Sequence, residues 1–349
     1  MRRRASLAVY TFSHFCVDFA CFFMLFAGFK SRLTGEAAAA GFLLYNILAF
    51  GLQPPIGYLC DAGKNSRIGS AGCALLLLGL AFFSSAWFSL VLCALGNACF
   101  HVGGGIDSLV HADGKMARSG VFVSSGALGV SLGALAGQSG AVPLYAPILL
   151  IALCGVLLLF FDKGYSERPA MQFRVAKELM GVPWVLVLCL VSVMVRAYVG
   201  AALPIAWKTT ALLALIPGAA SCAGKAAGGF LADRFGARRT GIVTLLLSAP
   251  LLCLGYGDPV LCATGLVLFN VIMPIALCAV ASALPHNPGL SFGLTTLGLL
   301  CGSAPTFFFV LAPSAVPAAA AACIAVSALC LFFATIDQER KYRHADSAL

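Results

Sequence analysis

One pattern recurs along almost the whole chain: apolar stretches of about 20 residues joined by short turns, the length an α-helix needs to cross a bilayer core of about 30 Å. Residues 183–206 carry a single charged side chain, Arg196. The pattern predicts twelve spans, at 6–29, 37–60, 68–86, 88–111, 117–137, 142–161, 183–206, 209–232, 240–256, 259–284, 289–311 and 314–335. The breaks at Ser84–Trp87 and Gly257–Asp258–Pro259 rest on Gly, Ser or Pro turns. The first stretch, with eleven more behind it, reads as a span rather than a cleavable signal peptide. Only 10% of the 349 residues are charged and 61% are hydrophobic, against about 25% charged in a soluble domain. A water-soluble enzyme, a nucleic-acid binder and a disordered chain are therefore excluded. The expected fold is an all-α polytopic membrane protein.

Positive charge orients it. All but five of the 22 Lys and Arg lie in the termini or the even-numbered loops. Lys30, Arg32 and Lys208 fall in odd-numbered loops, and Arg196 and Lys225 within spans. By the positive-inside rule both termini are cytoplasmic, and the net charge of +9 is a topology signal, not a nucleic-acid footprint. The longest hydrophilic stretch, 162–182, separates an N-terminal six-span bundle (1–161) from a C-terminal one (183–349). The 15 cysteines are scattered through apolar runs with no CxxC pair. They are expected to pack as small, weakly polar side chains, without disulfides or a thiol metal site.

The halves repeat a motif. The loop after span 2 reads Gly57-Tyr-Leu-Cys-Asp61-Ala-Gly63-Lys64-Asn-Ser-Arg67, and the loop after span 8 reads Gly229-Phe-Leu-Ala-Asp233-Arg234-Phe-Gly236-Ala-Arg238-Arg239. Repeated halves are a common construction of secondary transporters. The second copy resembles the signature loop of the major facilitator superfamily; the first departs from it at Ala62, where a basic residue is usual. Shorter stretches resemble the fosmidomycin-resistance group of drug efflux transporters: His14-Phe-Cys-Val-Asp18, Gln53-Pro54-Pro55-Ile-Gly57, Gly96-Asn-Ala-Cys-Phe100-His101 with Val102 in place of a proline, Gly120 to Gly126, and Val195-Arg196-Ala197. The resemblance implies a bacterial plasma-membrane carrier, usually monomeric, whose spans 1, 4, 7 and 10 line a central cavity. It also implies a cytoplasmic gate made by Asp61, Lys64, Arg67, Asp233, Arg234, Arg238 and Arg239. At a helix end each aspartate can accept hydrogen bonds from the next helix terminus and pair with nearby arginine.

Ionisable residues inside a bilayer are costly and point to function. From a rise of about 1.5 Å per residue, His14 and Asp18 lie about 12 and 18 Å deep, and His101 and Arg196 each about 20 Å from the face their span enters. His14 and Asp18 are four residues apart and share a helix face; a carboxylate beside an imidazole is a natural proton relay, so this pair is the expected proton-coupling site. His101, Arg196 and, from span 10, Asn270 are the expected substrate-binding residues, and Arg196 could also serve as counter-ion to Asp18. Asp107 and His111 are expected to pair with Lys115 and Arg118. Lys225 is expected to snorkel to the cytoplasm. The many glycines of spans 5 and 11 (Gly126, Gly129, Gly133, Gly137; Gly293, Gly298, Gly302) are expected to let helices pack closely.

Together these residues predict a proton-coupled transporter that exports a small anionic or zwitterionic compound; the resembling group implies efflux, drug resistance and phosphonate antibiotics as type substrate. An importing organic-anion symporter on the same fold is the alternative. No cofactor, resident metal, nucleic acid or catalytic residue is expected, and no phosphate-binding loop is present to use ATP. An intramembrane metalloenzyme built on His14, Asp18 and His101 has no HExxH motif to support it.

Overall fold

The computed structural model describes residues 2–63, 67–162, 170–177 and 181–337. The first set of helices is α1 (Arg2–Phe23), α2 (Gly35–Asn46), α3 (Gln53–Ala62), α4 (Ile68–Ala81), α5 (Ala86–Val110), α6 (Met116–Ser139) and α7 (Tyr145–Phe161). The second is α8 (Val182–Ala202), α9 (Ala211–Phe235), α10 (Ala237–Cys253), α11 (Pro259–Asn270), α12 (Ile272–Ala283), α13 (Pro288–Ser303) and α14 (Val316–Ala334). Nine helical segments among the described residues are long and apolar enough to cross a membrane, α2–α3 and α11–α12 each counting as one. The shorter helices α4, α7 and α10 lie where three further spans are expected. Large apolar side chains such as Leu149, Leu159, Phe160, Leu246 and Val260 point outward, as a lipid-facing surface requires.

Several helices are interrupted for identifiable reasons. α1 continues as a π-helix over Met24–Lys30, and α2 reaches α3 through a π-helical turn at Ile47–Gly51. α11 and α12 part at Val271; Pro274 has no N–H to offer the Asn270 carbonyl four residues back. α4 ends at Ala81, five residues before its expected end, and α13 gives way to a 3₁₀ turn at Ala304–Phe307 that begins beside Pro305. The expected break before α11 is present, with Asp258 Oδ1 accepting from the N–H groups of Val260 and Leu261, each at 2.9 Å.

α1 packs on α6 and α7, and α4 on α5; α8 packs on α13 and α14, and α10 on α14. The main contacts between the first seven helices and the last seven run along α6–α9 and α3–α13. Glycine makes those contacts close: a Cβ on Gly57 would collide with the Gly289 backbone, and one on Gly229 with the Met116–Ala117 backbone. Part of the hydrophilic stretch is a strap rather than a free loop. Met171, Phe173 and Val175 are buried in alternation. The Met171 N–H donates to the Pro285 carbonyl (2.9 Å) and the Ile336 N–H to the Val175 carbonyl (2.8 Å).

Candidate functional site

Three helices bring the ionisable residues together. α1 presents His14 and Asp18 one turn apart, and α5 presents Asn97 and His101 one turn apart, so two i,i+4 pairs face each other; α6 supplies the Phe122 carbonyl. His14, Asp18 and His101 are 5%, 8% and 5% exposed. Asp18 Oδ2 lies 3.3 Å from His14 Nε2 and Oδ1 lies 3.6 Å from His101 Nε2, while the Asn97 amide donates to Oδ1 at 3.0 Å.

The histidine geometry limits where a proton can sit. His14 Nδ1 lies 2.7 Å from the Phe122 carbonyl oxygen and His101 Nδ1 lies 2.9 Å from that of Asn97. A carbonyl only accepts, so each Nδ1 carries its hydrogen, and a neutral ring then has a bare lone pair on Nε2. The two Nε2 atoms are 2.9 Å apart. Two lone pairs at that distance repel; one proton between them makes a hydrogen bond of ordinary length. The arrangement can hold one shared proton, with the Asp18 carboxylate beside it to balance the charge. The three donor atoms all lie within 4.8 Å of one another, so the structure supplies the third ligand atom that the pair on α1 lacks. However, ligands about 2.0–2.1 Å from a tetrahedral zinc stand about 3.3 Å apart, and the nitrogen–nitrogen edge is shorter, the length of a hydrogen bond.

Space for the cluster comes from a residue that the sequence marks only as a packing position. A Cβ on Gly126 of α6 would collide with Asp18 Oδ2 and His14 Nε2. The glycines that follow on the same helix do serve packing, since a Cβ on Gly129 or Gly133 would meet the Phe15 or Phe19 carbonyl of α1. Asn97 was equally legible, one turn before His101 on the same face. Aromatic rings close the cluster on the side of α13: Phe122 stacks on His14 at 4.8 Å, and Phe292 lies 5.9 Å from Phe122.

Arg196 stands apart from this cluster. Its Nη2 donates to Asn270 Oδ1, whose amide in turn donates to the Leu266 carbonyl at 2.8 Å. The alternative role as counter-ion to Asp18 is not taken up among the described residues: the two residues lie on different helix sets, and Asp18 is engaged by Asn97 and the histidines. Arg196 Nε is buried without a partner. Arg196 and Asn270 line a cavity of about 310 Å³ with residues of α8, α9 and α11, among them Ser221.

The two loop aspartates bond across the structure. Asp61 accepts from the N–H groups of Gly289 (3.0 Å) and Leu290 (2.8 Å) at the start of α13, and Asp233 from those of Met116 (2.8 Å) and Ala117 (2.9 Å) at the start of α6. Each carboxylate sits on the positive end of a helix dipole. The expectation of the next helix terminus and of arginine pairing is corrected for Asp233. Arg238 donates through Nε to the Thr335 carbonyl at 2.6 Å, the Arg239 N–H donates to Asp337, and Arg234 stacks over Phe235. Both Asp233 oxygens are taken by the N–H groups of α6. Arg67 is among the described residues, and Lys64 lies outside them. Asp107 pairs with Arg118 (2.8 Å), as the sequence suggested, and also with His111 (3.1 Å), which it did not. All fifteen cysteines are free.

At the level of sequence, no family model and no curated protein matches the chain. Solved structures do match. The chain is similar to the major facilitator superfamily transporter FucP in its outward conformation (TM-score 0.67, 16% identity, 94% of this chain and 98% of that one). The fold is that of the major facilitator superfamily. It is also similar to a bacterial homologue of the iron transporter ferroportin in an outward-facing state (TM-score 0.59, 15% identity, 95% and 98%). The human organic anion transporter MFSD10 matches as well (TM-score 0.65, 13% identity, 95% and 99%). Within the major facilitator fold, Asp61 and Asp233 hold equivalent places, each at the end of a helix and each capping a helix of the other set.

Proposed function

We propose that this chain is a proton-coupled secondary active transporter for a small anionic or zwitterionic molecule, working as a monomer by alternating access. It has twelve spans in two six-span halves and both termini in the cytoplasm. The observation that carries the reading is the His14–His101 nitrogen pair, 2.9 Å apart with both Nδ1 atoms committed to carbonyls. That pair, with Asp18, forms a mid-membrane site that is neutral with one proton and anionic without it. His101 thereby joins the proton-coupling residues His14 and Asp18, and Arg196 with Asn270 remains as the substrate site.

The four hydrogen bonds of Asp61 and Asp233 lie at the end that carries Arg2 and Thr335, which is cytoplasmic in this reading. With that end held shut, the Arg196 cavity faces the other side, an outward-facing state. Rocking of the halves breaks those bonds and exposes the site inward. Export, and a place among drug efflux carriers of a bacterial inner membrane, follows the short motifs shared with the fosmidomycin-resistance group. Import by symport uses the same residues. FucP is itself described as a fucose:proton symporter in E. coli.

The test is transport in proteoliposomes. With a panel of small anions, an imposed inward proton gradient drives either depletion (antiport) or accumulation (symport). Asp18→Asn leaves the protein folded and abolishes proton-driven movement. Uphill transport at the normal rate by that variant refutes the assignment of the site.

A further inference from the structure

Lys225 was expected to snorkel to the cytoplasm; the direction of α9 tilts its side chain the other way. In a helix the Cα–Cβ bonds tilt toward the N-terminus. α9 starts at Ala211, at the end opposite the Asp61 and Asp233 contacts, and ends at Phe235 beside them. The Lys225 side chain therefore leans away from the closed end. The residues one turn earlier on its face are Ser221 and Cys222. Ser221 lines the Arg196–Asn270 cavity. Cys222 lines a second cavity of about 570 Å³ shared with α1 and α6, where Thr11, Ser124 and Ser125 are the other polar side chains.

Lys225 is half-buried, and among the described residues its ammonium group has no hydrogen-bond or ion-pair partner. Arg196 acts on it as a like charge and Asp18 as an opposite one. Asp18 is already engaged by Asn97, His14 and His101. The second helix set offers no uncommitted acid among the described residues. Between Val182 and Asp337 the sequence contains Asp233, Asp258 and Asp337 only, and these cap α6, cap α11 and bind the Arg239 N–H. Lys225 thus leans toward a residue that lines the Arg196–Asn270 cavity, no uncommitted carboxylate of its own helix set is there to meet it, and an unpaired charge away from water is costly.

We propose that Lys225 and Arg196 form a two-point anion site, and that the molecule bound between them is a small dianion of the dicarboxylate type. One acidic group takes the unpartnered Nε edge of Arg196, steadied by Asn270; the other takes the Lys225 ammonium group. Separate cations on α8 and α9 suit two acidic groups on one skeleton better than one compact group. This rests on the transporter reading above and narrows its substrate.

The test uses the purified full-length protein in detergent, with succinate, its monomethyl ester and inorganic phosphate as probes, read by calorimetry and thermal shift at pH 7.5. Wild type binds succinate about tenfold tighter than the monoester and tighter than phosphate, as a second charge-assisted contact requires. Lys225→Gln removes the preference for succinate over the monoester, and Lys225→Arg restores it. Equal binding of diacid and monoester by wild type overturns the proposal, whether or not the Gln variant folds. So does an undiminished preference in Lys225→Gln, or phosphate binding tighter than succinate. In all three cases proton-driven transport of a monoanion leaves the transporter reading standing. Absence of binding by every probe, with no proton-driven movement of any anion, overturns both.

Discussion

Asp61→Asn and Asp233→Asn should each loosen one end of the bundle by a calculable amount. Each carboxylate accepts two N–H groups at 2.8–3.0 Å from the first turn of a helix in the other set. Asparagine keeps one accepting oxygen and turns its NH₂ toward the second N–H, while the favourable charge–dipole interaction is lost. A hydrogen bond to a charged group contributes about 1.5–3 kcal/mol. Losing one per site shifts the closed–open equilibrium by roughly 10- to 150-fold. The sites share no partner, so the double variant should combine the two shifts. Hydrogen–deuterium exchange of peptides covering 116–121 and 288–292 reads this directly, since the amides concerned are the donors. Asp233→Asn should accelerate exchange at Met116 and Ala117, and Asp61→Asn at Gly289 and Leu290, by about the factor given for local opening. Unchanged exchange in both variants would refute the claim that these carboxylates hold the end shut.

Three further outcomes follow from the same geometry. Gly126→Val places a branched side chain where Asp18 and His14 meet; it should cost about 1–3 kcal/mol from overpacking, read as lower thermal stability, and should impair proton-driven transport more than ligand binding. Arg196→Gln should weaken anionic ligands by about tenfold or more and neutral ones little, and equal losses measured by calorimetry would make Arg196 a structural residue. Phe292→Ala removes a buried ring next to Phe122 and should cost about 3–5 kcal/mol, with faster exchange around His14 and His101.

What could be read in advance was what depends on local spacing. The i,i+4 relation of His14 and Asp18 needs only a helix, and their joint burial follows from it. The apolar runs mark the positions of the helices, though not the π-helical turns at Met24–Lys30 and Ile47–Gly51, which have no period to reveal them. The break at Val271 has its mark in Pro274, but hydropathy continues through it. His101 was legible as functional but not as the partner of His14, 87 positions away, because the facing of α1 and α5 is set by packing. The same holds for Arg196, whose partner Asn270 lies 74 positions on. Gly126 shows the limit most plainly: its glycine spacing suits helix packing, and only the neighbouring carboxylate and imidazole reveal that it leaves room for charge.

The shared proton is the claim on which the transporter reading stands. With only five histidines in the chain, ¹⁵N-histidine solid-state NMR of the protein in bilayers at neutral pH can resolve it. The account predicts both Nδ1 atoms of His14 and His101 protonated and a scalar coupling between the two Nε2 atoms through one hydrogen bond. Two neutral rings with no coupling between them would contradict it.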